Sequence, residues 1–248
     1  MSTEMTFATA QQEAYGYLLM RILNGDLVGG DRINPAEIAE ILGISRMPVR
    51  EALRQLDAEG LVMMRPNRSA VVTSLSAIEV DELFEIRTAL EVMAVRYTVE
   101  RLSADSLAML VALKEAMDRV RHDPAEWIRR HDDLHQAICD LGNRNRLSHE
   151  ISRIRLAIRP YLLMYVKVFN TIEMPGFEHT VLLDAIATRD VEVAQQAMRE
   201  HVANPAVGLV SFLRQRELEA DENAKKPRPD GRRRARAAET LSMSGVVP

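Results

Sequence analysis

Four of the six histidines in this chain are spaced as metal ligands. His131 and His135 lie four residues apart, so on a helix both side chains face the same point. His179 and His201 fall in two further helical segments downstream. A histidine pair one turn apart, joined by single histidines from other helices, can hold a divalent transition metal inside a helical bundle. The competing reading is a set of scattered surface histidines with no shared centre. His122 and His149 lack such spacing and read as surface residues.

A second set is built from arginine. Arg46, Arg50 and Arg54 recur every four residues, on a helical face distinct from that of Val49, Leu53 and Leu56. At the start of a helix seated in the major groove, an arginine can pair bidentately with guanine O6 and N7, which discriminates by about 1–3 kcal/mol. Ser45, just ahead of them, together with the unpaired amides of a helix start, suits a phosphate. Asn67 and Arg68 suit the neighbouring DNA backbone or minor groove from the tip of a hairpin. Bulk charge does not make this case. The net charge is -4, and residues 1–76 hold seven basic against nine acidic side chains. The case therefore rests on where the arginines stand; the alternative is an exposed helix merely solvated by them.

These groups need elements to position them. Periodicity predicts a first helix over 8–24, with Tyr15, Leu18, Leu19, Ile22 and Leu23 on one side and Gly25 ending it. Asn34-Pro35-Ala36-Glu37 opens a second, with Asn34 as cap, Pro35 at its first position and Glu37 where a capping-box acid belongs. Its buried face is Ile38, Ala39, Ile41 and Leu42, and Gly43 ends it. Ser45 caps a third, to about Glu59, which buries Val49, Ala52, Leu53 and Leu56. Residues 61–64 and 70–72 read as two strands around the turn Arg65-Pro66-Asn67-Arg68-Ser69. This is a winged helix-turn-helix, assigned to residues 1–75.

From Ser76 strand signals vanish. Helices are expected at about 76–101 (opened by the capping box Ser76 to Glu79), 104–121, 124–142, 146–169, 176–187 and 190–216. Pro160 should kink or break the fourth. Residues 76–216 thus form an antiparallel helical bundle, and the fold class is mainly α. Residues 217–248 turn from acidic to basic without apolar periodicity and read as a disordered, solvated tail. No apolar run approaches the roughly 20 residues of a membrane span, and the first residues lack a signal-peptide pattern. The single cysteine, Cys139, reads as a buried apolar group and suits a reducing, cytoplasmic setting.

The run Ile44-Ser45-Arg46-Met47-Pro48-Val49-Arg50-Glu51-Ala52-Leu53, followed by Leu56, Glu59-Gly60-Leu61-Val62 and Arg65-Pro66-Asn67-Arg68, resembles the GntR family signature over residues 10–73. The resemblance implies a homodimer on a short palindromic operator, with contacts from Ser45, Arg46, Arg50, Asn67 and Arg68. Met47 stands where Thr is usual and Ser69 where Gly is usual. Residues 78–215 resemble the FadR-type C-terminal domain of these regulators, through Glu85-Ile86-Arg87, Leu90-Glu91, Asp132-Asp133-Leu134-His135, His179 and His201. That resemblance implies a metal, often zinc or nickel, beside a small carboxylate effector. The family's fourth ligand is normally an Asp one turn before the first histidine; here His131 holds that position, and Asp132 points about 100° away. An all-histidine set leaves the ion's charge less compensated and favours an anion. Arg87 is a candidate for the effector carboxylate, the alternative being an ion pair with Glu91.

The expected function is therefore a ligand-responsive transcriptional regulator, a repressor by preference. Two other readings stay open: a metal that only stiffens the bundle, and a metal-dependent enzyme carrying a DNA module.

Overall fold

The computed structural model describes residues 2–66, 69–169 and 179–225. Its first part contains α1 (Ser2–Leu23), β1 (Arg32–Ile33), α2 (Pro35–Leu42), α3 (Arg46–Ala58), β2 (Val62–Met64) and β3 (Ala70–Val72). This is the winged helix-turn-helix expected. The sheet is antiparallel in the order β1-β3-β2, with Ile33 opposite Ala70 and Met64 opposite Ala70 on the other side. β1 was not expected: two residues are too few to show alternation, and only pairing with β3 defines it. α1 begins earlier than its apolar pattern suggested.

Local chemistry explains the boundaries. The Asn34 side chain accepts from the Ala36 amide at 3.0 Å, and Gly43 closes α2 in the left-handed region at φ 66°. Only a residue without Cβ takes that conformation at little strain. Glu37 bonds the Asn34 side chain rather than its backbone, so the reciprocal capping box is not formed here. Leu18, Ile22, Val49, Leu53 and Leu56 pack into one core under the sheet. Each fully buried side chain of that size contributes about 1.5–3 kcal/mol. Ile41, expected in this core, is 58% exposed instead.

The second part is a bundle of α4 (Ala77–Arg101), α5 (Ala104–Asp118), α6 (Pro124–Leu141), α7 (Asn145–Phe169), α8 (His179–Ala187) and α9 (Val191–Lys225). The Ser76 to Glu79 capping box is present with both of its bonds. The bond from the Ser76 amide holds the Glu79 carboxyl below its usual range. Asp123 caps α6 through the Ala125 and Glu126 amides. Pro160 lies inside α7 without breaking it. α9 runs nine residues past the expected end at 216, so residues 217–225 are helical and not tail. The rest of the expected tail, 226–248, falls outside the described residues. Cys139 is buried as expected, and burial pushes its thiol up to about 12.

α7 joins the two parts. The Leu75 amide donates to the Tyr161 hydroxyl at 2.6 Å, and Arg153 reaches the Ala58 carbonyl at 3.3 Å. Lys167 donates to the Asn24 carbonyl at 3.1 Å, and Leu156 packs against the winged-domain core. No described helix is long and apolar enough to cross a membrane.

Candidate metal centre and nucleic-acid interface

α6 presents His131 and His135 one turn apart; α8 opens on His179, and α9 supplies His201 from the end of its third turn. All four are buried, and their ligand atoms lie within 4.8 Å of one another. The surface reading of these four is thereby set aside, while His122 and His149 are exposed as expected. His135 Nε2 stands 3.1 Å from His201 Nε2. Trp127, fully buried one turn before His131, walls the cluster with its ring 5.3 Å from the His131 ring.

Sequence reasoning missed the residue that organises this cluster. Glu91, from α4, accepts from His135 Nδ1 at 2.7 Å. A carboxylate can only accept there, so the proton sits on Nδ1 and the Nε2 lone pair faces the cluster. The other Glu91 oxygen accepts from Arg87 Nε at 2.7 Å. Burial raises the Glu91 carboxyl, but Arg87 and His135 outweigh it and hold it well below the usual range. The available signal was the Arg87 to Glu91 spacing, which sequence alone reads only as an ion pair along one helix.

The donor set fits a transition metal. Burial draws His135 down to about 4, against the pull of Glu91, and draws His131 well below its usual value, helped by Arg87. Neutral imidazoles are the form that ligates. His131 Nδ1 is buried with no hydrogen-bond partner among the described residues, the Asp132 carboxylate being 3.7 Å away. An orphaned buried nitrogen costs stability unless something takes its lone pair. Asp132 itself turns to α7, with Arg159 at 3.5 Å, so it is half-buried rather than solvent-facing. Asp133 is exposed and pairs with Arg129 at 3.1 Å.

Arg87 forms the ion pair with Glu91, both side chains being buried. It borders a space of only about 10 Å³ with Phe84, His131 and His201. A larger cavity of about 660 Å³ between α8 and α9 reaches His201 past Leu182, Glu200 and Asn204.

At the other end of the molecule, α3 offers its first turn outward. Ser45 occupies the cap position but makes no side-chain capping bond, and it is exposed together with Arg46 and Met47. The Ser45 hydroxyl and the first amides of α3 are thus placed for a phosphate. Arg50 is half-buried on the same face. Arg54 is exposed but held by Glu51 at 2.6 Å, so it is less available than its spacing suggested. Met47, next to Arg46 in sequence, adds exposed apolar surface to this turn. Asn67 and Arg68 fall outside the described residues.

Residues 10–72 match the bacterial regulatory proteins of the gntR family, and residues 82–204 match the FCD domain. The HTH-type transcriptional regulator McbR of Escherichia coli (strain K12) is 30% identical over 180 residues, covering 71% of this chain and 81% of McbR. The HTH-type transcriptional repressor GlaR of the same organism is 28% identical over 203 residues, covering 78% of this chain and 92% of GlaR. The solved structure of E. coli McbR/YncC superposes with a TM-score of 0.72 at 26% identity, covering 84% of this chain and 98% of that one. A winged helix-turn-helix followed by a helical domain with a buried histidine cluster is the architecture of a DNA-binding transcriptional regulator. The chain belongs to the GntR family, as a member with an FCD domain, and this family consists of regulators rather than enzymes.

Proposed function

We propose that this chain is a metal-containing, ligand-responsive repressor that binds a palindromic operator as a homodimer and senses a small organic acid in its helical domain. The observation that carries this is the buried set of His131, His135, His179 and His201, with ligand atoms within 4.8 Å of one another. A zinc or nickel ion, when bound, supplies a Lewis-acidic centre to which a carboxylate can attach. His135, His179 and His201 hold it, and His131 takes the place of the family's usual Asp. Glu91 fixes the His135 ring, and Trp127 keeps water from one side. All four ligands are neutral, so the ion's positive charge is left for an anion.

Ser45, Arg46 and Arg50 are the residues of α3 that we assign to DNA, with Met47 beside them, Arg54 in a lesser role and Asn67 and Arg68 from the wing. The name of GlaR favours repression. An effector acts by preferring one placement of the two winged parts in the dimer over another, typically by about 1–3 kcal/mol of coupling. The α7 contacts at Tyr161, Arg153 and Leu156 are the physical link between the two parts. The single buried cysteine is in keeping with a reducing, cytoplasmic compartment.

Metal analysis of the protein without a histidine tag, beside His179→Ala, tests the centre. About one equivalent in the parent and its loss in the variant are expected. A panel of small carboxylates is then titrated into the metal-loaded protein on its operator; unchanged operator affinity throughout overturns the sensing role. One observation favours a second reading, in which the metal only stiffens the bundle: Arg87 is engaged by Glu91 and the space beside it is about 10 Å³. On that reading metal removal lowers the melting temperature and no carboxylate changes DNA affinity.

A further inference from the structure

A second group of buried cationic donors faces a cavity between α6 and α7. The cavity measures about 190 Å³ and is bounded by Asp132, Asp133 and Gln136 on one side and by Ser152, Arg155 and Arg159 on the other. None of the arginines entered the sequence-based expectations, because their spacing on α7 shows no partner.

Arg155 is 5% exposed; one of its terminal nitrogens donates to the Gln136 side-chain oxygen, and its guanidinium also hydrogen-bonds the Cys139 thiol. Its other terminal nitrogen, Nη1, is buried and has no hydrogen-bond partner among the described residues. Arg159 Nε is in the same condition. Its Nη1 stands 3.5 Å from Asp132 Oδ2, longer than a charge-assisted bond normally is. Across the cavity, Asp133 and Gln136 have partners. Asp133 pairs with Arg129 at 3.1 Å, and the Gln136 amide nitrogen donates to Asp140 and Ser148 at 2.8 and 2.6 Å. The unmet hydrogen-bonding capacity is therefore cationic, and guanidinium donors left unpaired in a buried setting call for an anionic acceptor.

The Asp132 carboxylate lines the same cavity and would repel an anion that brings only acceptors. An anion carrying its own O–H reverses this, because that O–H can donate to Asp132 while the other oxygens accept from the arginines. A phosphate meets both demands at neutral pH; a sulfate or a simple carboxylate meets only the second. The cavity is several times the roughly 30 Å³ share of a water molecule, with room for such a group.

We propose that Arg155, Arg159 and Asp132 form a second ligand site, next to the histidine centre but built from other residues, that takes a protonated phosphate: inorganic phosphate or the phosphate of a small phosphomonoester. Arg155 and Arg159 bind the unprotonated oxygens, and Asp132 accepts the P–OH. The site adjoins that centre, since the Asp132 carboxylate lies 3.7 Å from His131 Nδ1, but it uses none of the four histidines.

Isothermal titration of the full chain with inorganic phosphate, and in parallel with sulfate, tests this. Saturable phosphate binding is expected, with sulfate at least about tenfold weaker, the loss of one charged hydrogen bond. Arg159→Gln should weaken phosphate about tenfold or more, and Asp132→Asn should bring sulfate and phosphate together. His179→Ala should keep phosphate binding, which separates this site from phosphate held on a metal. Melting curves of each variant report whether it is folded, and Arg159→Lys provides a milder change where Arg159→Gln is not. Absence of saturable phosphate binding, equal binding of sulfate by the parent, or unchanged binding in Arg159→Gln or Arg159→Lys overturns the proposal. So does loss of binding in a folded His179→Ala.

Discussion

Glu91 Oε2 lies 2.7 Å from His135 Nδ1, and through its other oxygen the same carboxylate holds Arg87. Three charged or chargeable groups from α4 and α6 are thus tied together in a part of the bundle closed to water. A carboxylate behind a ligating histidine fixes its tautomer and ring plane and makes the facing nitrogen more basic.

Glu91→Gln is accordingly expected to weaken metal binding about 10–100-fold, although residue 91 touches no metal itself. Competition against a chromophoric chelator measures this. Because Arg87 loses its charge partner in a buried setting, the metal-free variant should also be about 3–5 kcal/mol less stable in urea. Metal affinity within threefold of the parent would contradict the orienting role.

Acid should unfold the metal-free protein early. The pKa of His135 is lowered in the fold from about 6.5 to about 4 by burial, with Glu91 pulling the other way. The unfolded chain therefore binds more protons between these values, and stability falls as pH drops from 6.5 towards 4. Above 6.5 this contribution is fully present. For His135 alone the loss across the window is on the order of 3 kcal/mol. Glu91, held well below its usual range, adds a further loss only once pH falls below about 4.5. Urea midpoints of the metal-free protein at pH 7 and pH 5 test the first part; equal midpoints would contradict it.

On the DNA side, Arg46→Ala and Arg50→Ala should each cost about 1–3 kcal/mol of operator affinity and relax base preference. Arg54→Ala should cost less than either, since Glu51 already engages that guanidinium at 2.6 Å. Fluorescence anisotropy on operator and scrambled duplexes separates the two effects. A larger loss for Arg54→Ala would show that the pair with Glu51 opens on DNA.

Tyr161→Phe removes the acceptor of the Leu75 amide, a 2.6 Å bond at the junction of the two parts. It should lower stability by about 1 kcal/mol. If α7 links the parts, it should also reduce any effector-induced change in operator affinity while leaving metal content unchanged. Metal analysis and anisotropy with and without effector read the two consequences separately.

The winged helix-turn-helix was legible because its signals are local. Asn34 and Pro35 open α2, Gly43 closes it, and the apolar face of α3 repeats at helical spacing. The histidine cluster was legible in part, since His131 and His135 share a face of α6 by spacing alone. That His179 and His201 meet them is a matter of tertiary packing, which spacing does not encode. Glu91 was missed as an orienting group for the same reason: it reaches His135 across 44 residues of sequence. Ile41 was misplaced because periodicity marks an apolar face without saying what covers it. β1 and the extension of α9 were missed because neither has an apolar pattern of its own.

The extension of α9 bears on the junction between the two parts. Glu217, the first residue past the expected boundary, accepts from the Ala77 amide at 2.7 Å, and Arg214 reaches Asp81 at 3.1 Å. The first turn of α4 is thereby clasped by residues about 140 positions later in the chain. The short segment joining the winged and helical parts is anchored on both flanks, by Tyr161 before it enters the bundle and by Glu217 just after. Its heading is therefore fixed from two sides, by α7 through Tyr161 and by α9 through Glu217. A protein cut at 216 would keep every histidine, every arginine of α3 and the α7 contacts at Leu75, Ala58 and Asn24, yet it would lose the one bond that fastens the Ala77 amide to α9.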